Sequence, residues 1–282
     1  MATLIHPTAV IMPGAELGSD VEIGPYSVVG SEVVIKDGTR IGPHVVIDGV
    51  TTIGEANRIV GQANLGGPPQ DFSYKGEPTR LEVGPRNTIR EFVTINRGTL
   101  KGGGITRIGA DCLFMACCHV AHDCEIGDGV IVANGALLAG HVLVGQGANI
   151  SGGCAAHHFV TIGAYAYVGG MTRMNVDVPP FMVYEGRPAR VRGVNVVGLR
   201  RAGVVEDEIE HLWAAFRRLY RSGEPRRRCL QTLHEDPDSA DLTRELVKAL
   251  EQTEKGLKGR HRESLRSEFE RLGRERILAE VG

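Results

Sequence analysis

The chain has 282 residues, enough for one or two domains with a sizeable core. Its net charge of −2, counted with neutral histidine, supplies no bulk positive field and so gives no reason to expect a nucleic-acid partner. No apolar stretch approaches the ~18 residues of a membrane span, and residues 1–10 lack the basic-then-apolar order of a signal peptide, so a cytoplasmic location is expected.

From the N-terminus an aliphatic residue recurs at every sixth position: Ile5, Ile11, Leu17, Ile23, Val29, Ile35, Ile41, Ile47, Ile53, Ile59, Leu65. Glycine often follows it, as in Ile23-Gly24 and Ile41-Gly42, and the fifth position is small or β-branched, as in Ala9, Ser27, Thr39 and Thr51. The register returns at Val83, Ile89 and Ile95, and again from Ile108 through Met174 with looser members. A helix of period 3.6 cannot hold such a register, and simple strand alternation has period two. A triangular coil of three hexads can, with first and fifth residues pointing inward and successive coils stacked ~4.8 Å apart by parallel pairing. The hexads amount to about nine coils, or ~40 Å of prism at that spacing. The expected class is therefore an all-β parallel β-helix. The crossover rule would favour a right hand; the left hand expected here rests on the hexapeptide-repeat families that this pattern resembles. Cys112, Cys118, Cys124 and Cys154 all fall on the small fifth position, which predicts buried packing rather than disulfides or metal ligation.

Two segments leave the register, 66–81 (GGPPQDFSYKGEPTRL) and 100–107 (LKGGGITR). Loops inserted in a repeat array gather on one face and often carry binding. The register fades at Asp177-Val178-Pro179-Pro180, which divides the chain into a β-helix domain over 1–190 and a C-terminal α-helical domain over 191–282. Within the latter, Ile209, Leu212, Trp213, Phe216, Leu219 and Tyr220 have helical spacing, ended by Gly223 and Pro225. A second helix is expected from about Asp238, through Leu242, Leu246, Val247 and Leu250. A third, charge-laced one runs over 261–279 with Leu265, Phe269, Leu272 and Leu278. These helices read as a cap over the prism end and its unpaired strand edge.

Histidine is the informative residue for chemistry. His119, His122, His141, His157 and His158 cluster in the late coils, and His122 and His141 are about one coil apart, so they fall near one corner. Asp123 follows His122, and a carboxylate beside imidazole can fix its tautomer and stabilise the imidazolium. A His-Asp dipeptide alone is common, and scattered surface histidine remains the alternative. No metal site is expected; the cysteines Cys112, Cys118 and Cys124 in particular, six apart, sit on different faces.

At these residues the sequence closely resembles the acyl-carrier-protein-dependent UDP-N-acetylglucosamine O-acyltransferases, which catalyse the first step of lipid A synthesis. The resemblance covers roughly residues 1–203. It rests on Pro69-Gln70-Asp71, Gly76-Glu77-Pro78-Thr79-Arg80, Asn96-Arg97-Gly98-Thr99, Gly102-Gly103-Gly104, His119-Val120-Ala121-His122-Asp123-Cys124, Leu138-Ala139-Gly140-His141 and Gly193-Val194-Asn195. The resemblance implies that His122 is the general base for the sugar 3-hydroxyl, that Asp123 orients it, and that the Gly140 N–H holds the oxyanion. It places Gln70, Asp71, His119, His141 and His157 on the sugar nucleotide or acyl group, Asn195 and Arg201 near the nucleotide or pantetheine arm, and Gly170 at the end of the acyl groove. It implies no cofactor beyond the phosphopantetheine of acyl-carrier protein, and a homotrimer with sites between adjacent prisms.

Departures from the family pattern fall at Ser73, where a lysine is frequent and Lys75 is a candidate substitute, and at Cys117, Val197 and Ala202. Three other readings compete: amide formation on a 3-amino UDP-sugar, a zinc-dependent hexapeptide carbonic anhydrase, and a non-catalytic β-helix scaffold. The second needs two histidines five apart, a spacing that this chain lacks.

Overall fold

The structure is a computed structural model that describes residues 3–237 and 239–281. Three sheets of eleven, nine and eight strands, parallel except for one terminal antiparallel pair, form the faces of a left-handed β-helix. Most strands are two residues long, and each stacks on its counterpart one coil on: Leu4 pairs with Glu22 and Ile5 with Ile23. The aliphatic first residues therefore form vertical ladders, one of which runs Ile5, Ile23, Ile41, Ile59, Ile89, Phe114, Val132, Ile150, Val168. From Val21 onward both the first and the fifth hexad residues are buried. In the first coil Leu4, which stacks on the outward-facing Glu22, is 62% exposed, and Ile5 is 45% exposed. Cys112, Cys118, Cys124 and Cys154 are buried free thiols in this core, as the fifth position requires. Burial pushes the Cys118 thiol up to about 12.

Both excursions are shorter than the sequence suggests. Strand Asn64–Gly67 extends the coil into the first, and strands Arg80–Val83 and Ile105–Ile108 close the first and second. The physical reason is pairing: Arg80, Leu81 and Glu82 find partners in Ile105, Thr106 and Arg107, so residues that break the hexad pattern still complete a ladder.

The prism ends in an antiparallel pair, Met182–Gly186 with Ala189–Val194, so the last strand crosses position 190. Helices α1 (Val196–Arg201), α2 (Glu206–Arg221), α3 (Arg226–Glu235) and α4 (Asp241–Lys255) follow. They bury Leu199, Leu212, Phe216, Leu246 and Leu250 against Phe181, Met182 and Val194 at the prism end. Asp238, the expected start of the second helix, lies outside the described residues. The third expected helix does not join this cap. A turn at Arg262–Leu265 leads into α5 (Arg266–Val281), which packs on the second excursion at Leu100–Gly102. Polar bonds steer it there: His261 N–H donates to Asp177, Arg260 to the Asn175 carbonyl, and Arg262 pairs with Glu125 at 2.8 Å. The side chain of Leu278 lies outside the described residues. Among them, no helix is long and apolar enough to cross a membrane.

Candidate active site

The corner at Ala121–Cys124 carries the pair singled out by sequence. The strands His119–Val120 and Glu125–Ile126 fix its two ends, and Asp123 turns it with a left-handed φ of 61°. His122 Nδ1 meets Asp123 Oδ2 at 2.7 Å. The carboxylate has no exposed surface, and Thr99, just before the second excursion, satisfies it, donating its backbone N–H to Oδ1 at 2.7 Å and its hydroxyl to Oδ2 at 2.6 Å. Asp123 N–H in turn donates to Thr106 Oγ1. Burial pushes the Asp123 carboxyl above its ordinary range, while the bonds from His122 and Thr99 pull it back. Gly102 lies so close that a Cβ there would collide with the Asp123 carboxylate. The excursion is thus a socket for one side chain. The run Asn96-Arg97-Gly98-Thr99 locks it down: Asn96 donates to the Pro68 carbonyl, and Arg97 donates to the Gly66 carbonyl and to the Tyr74 hydroxyl.

The next coil supplies the roof. A Cβ on Gly140 would sit 2.5 Å from His122 Cε1 and 2.8 Å from Nε2, so only glycine lets this backbone approach the imidazole. Among the described residues the Gly140 N–H has no hydrogen-bond partner. Its neighbour His141 packs edge-on to His122 at 5.1 Å and stacks on Phe159 at 4.2 Å. Burial, reinforced by His122, holds His141 down to about 3, so it is neutral at physiological pH.

These groups face an open cavity of about 530 Å³ whose other walls include Gln70, Asp71, Lys101 and His158, with Arg266 and Glu270 of α5. With Nδ1 held by Asp123, the ring nitrogen that His122 keeps for chemistry is Nε2. Asp71 accepts from the Ser73 N–H, a bond that holds its carboxyl below the usual range. The donor atoms of His122, Asp123 and His141 lie within 4.8 Å of one another, a spacing that invites a metal. His122 and Asp123 are nevertheless bonded to each other at 2.7 Å, closer than the ~3.3 Å that two ligands keep around a tetrahedral zinc.

Comparison with known proteins agrees on one family. Residues 177–258 match the model described as UDP N-acetylglucosamine O-acyltransferase, domain 2, and residues 105–140 match the bacterial transferase hexapeptide model. The acyl-[acyl-carrier-protein]–UDP-N-acetylglucosamine O-acyltransferase of Xylella fastidiosa is 50% identical over 91% of this chain and 98% of its own. That of Paraburkholderia phymatum is 49% identical over 90% and 98%. The chain belongs to the UDP-N-acetylglucosamine O-acyltransferase family. Solved structures concur. The UDP-N-acetylglucosamine acyltransferase of Bacteroides fragilis superimposes with a TM-score of 0.85 at 36% identity, over 88% of this chain and 97% of that one. The Acinetobacter baumannii protein gives 0.82 at 38%, over 87% and 96%. The relatives are named O-acyltransferases, so the amide-forming, carbonic anhydrase and scaffold readings are not favoured.

Within this acyltransferase, His122, His141, Gln70 and Asp71 line one cavity, while Asp123 is buried behind His122 and the Gly140 backbone lies against the His122 ring. His119 sits on the adjoining face, bonded to Thr94 Oγ1 at 2.7 Å, with burial lowering its pKa. His157 points outward, edge-on to His158. Gly170 is exposed at a corner of a later coil. Asn195 caps α1, accepting from the Gly198 N–H and donating to the Tyr165 carbonyl, and Arg201 ends that helix; neither lines this chain's cavity. The lysine on the cavity is Lys101, whereas Lys75 turns back to the Phe72 carbonyl. Sequence reading also missed Thr99 as the partner of Asp123, and Arg266. The run of three glycines behind Lys101 was the available signal for the first, since only a close approach demands Gly102.

Proposed function

We propose that His122 is the general base of the acyl transfer that this family performs. The chain transfers an acyl group from acyl-carrier protein to UDP-N-acetylglucosamine in lipid A synthesis. The acyl group is a 3-hydroxyacyl chain, and the acceptor is the sugar 3-hydroxyl. His122 Nε2 takes the hydroxyl proton as the oxygen attacks the thioester carbonyl. Asp123 keeps the imidazole in the right tautomer and stabilises the imidazolium. The Gly140 N–H holds the oxyanion, a contact often worth ~3 kcal/mol. Collapse breaks the C–S bond, and the proton on His122 goes to the departing pantetheine sulfur. The ester is formed, and acyl-carrier protein leaves as its thiol, with no further cofactor.

The observation that carries this reading is the buried 2.7 Å His122–Asp123 bond beside an open cavity, with the Gly140 backbone against the imidazole. Gln70, Asp71 and His141 on that cavity bind the sugar nucleotide, His119 and His157 flank it, and Gly170 limits acyl length. The protein acts as a cytoplasmic homotrimer. The fully exposed Phe72 at the cavity edge supports this, because such a side chain awaits cover from an adjacent prism or an acyl chain. Asn195 and Arg201 then serve the site of the adjacent prism. Mass spectrometry of products tests the function directly. Purified protein with a mixed 3-hydroxyacyl-carrier-protein pool and UDP-N-acetylglucosamine yields a 3-O-ester; a product only with the 3-amino sugar would reject the acceptor.

A further inference from the structure

The family model ends at residue 258, yet the chain beyond it runs into the candidate site. Arg262 is the link. Its guanidinium is almost buried, and its Nε donates to the His141 carbonyl at 3.1 Å while its terminal nitrogen pairs with Glu125 at 2.8 Å. Its other face lies over Phe269, 4.7 Å from the ring centre. One turn on, Arg266 covers the outer face of Phe159, whose inner face stacks on the His141 imidazole. The segment thus grips the Gly140–His141 turn twice, at its carbonyl and behind its ring.

The fold does not need this grip. Tyr26, His44, Phe92 and Asp111 hold the same left-handed backbone as His141, whose φ is 64°, and among the described residues no arginine donates to the carbonyls of those corners. The bolt sits at the turn that carries the oxyanion donor and the histidine beside the base. We propose that Arg262 is a positioning residue for the transfer reaction, fixing the Gly140–His141 turn against His122 through the His141 carbonyl. Misplacing a reacting group by about 1 Å can cost on the order of 10²-fold, so loss of the bolt falls on kcat. Arg262 does not line the cavity, so substrate binding changes little. This rests on His122 and Gly140 forming the site proposed above.

The test compares Arg262→Met, Arg262→Lys and Glu125→Gln in the full-length protein, with kcat, KM and Tm measured for each. Arg262→Met keeps the aliphatic stem and loses both donors; its kcat falls about tenfold or more with KM within twofold. Arg262→Lys carries one ammonium, which cannot hold the carbonyl and Glu125 together, so its kcat falls by about threefold or more. Glu125→Gln leaves the bond to His141 and stays within about twofold of wild type. Wild-type kcat in Arg262→Met overturns the proposal. If that variant does not fold, wild-type kcat in Arg262→Lys overturns it instead. A His122→Ala variant assayed alongside separates the two readings: full activity there rejects the base, whereas an inactive His122→Ala with a normal Arg262→Met rejects only the bolt.

Discussion

Two corners of this prism have nearly the same local design. His44 takes a left-handed backbone, φ 55°, and stacks on Tyr26 of the neighbouring coil at 5.2 Å. His141 takes φ 64° and stacks on Phe159 of the neighbouring coil at 4.2 Å. His44 is exposed and Tyr26 is 60% exposed. His141 is buried beside His122, Asp123 and an arginine from the C-terminal segment. The hexad therefore supplies the corner and its ring stack, but not the chemistry. The surroundings of His141 come from what the repeat does not contain: an inserted loop that buries a carboxylate, and a C-terminal segment that packs over the turn.

The comparison breaks most sharply at the carboxylate. Asp123→Asn keeps the shape and can keep the bond from the Thr99 N–H to Oδ1, but removes the charge that holds His122, so kcat falls by about 10²–10⁴-fold with the fold intact. Next is the socket. Gly102→Ala pushes a methyl into the Asp123 carboxylate, and kcat falls by about 10–100-fold with a lowered Tm; an unchanged kcat would show that the second excursion does not hold Asp123. A smaller effect is expected at Gly170, where a Cβ would meet only the Gly152 carbonyl, at 3.6 Å. Gly170→Met shifts donor preference to shorter chains by about fourfold per methylene excluded, at ~0.8 kcal/mol each; competition between donors of different length reads it.

The smallest effect is on stability. His141 is held to about 3 when folded, against ~6.5 in an unfolded chain. Between those values the unfolded chain binds the extra proton, so this contribution is complete above pH ~6.5 and is lost as pH falls toward 3. His141→Gln removes that dependence. Between pH 7 and pH 4 the wild type loses on the order of 5 °C more of Tm than the variant does. The same change at the exposed His44 leaves the acid dependence as it was.

The fold was legible because the hexad repeats at every corner, and each aliphatic first residue stacks on the one a coil below. The excursions were legible as places but not as boundaries, since the pairing of Arg80 with Ile105 is invisible until the coils are stacked. Helix α3 left no signal: only Cys229 and Leu230 are buried in it, too few to make an apolar stripe. His122 and Asp123 were legible as neighbours in a motif. Their environment was not, because the bonds from Thr99 reach across 24 positions and the bond from Arg262 reaches across 121 positions to His141. Contacts of that range follow from the wound coil, not from local residue order.

The histidine cluster built around His122 and His141 is expected to do chemistry, and the isolated His44 corner is not. The direct measurement is the single-turnover rate of acyl transfer for His122→Ala and His44→Ala, each checked for an unchanged Tm. The account predicts a loss of about 10²–10⁴-fold for His122→Ala and a rate within twofold of wild type for His44→Ala. A His122→Ala rate within tenfold of wild type would contradict it.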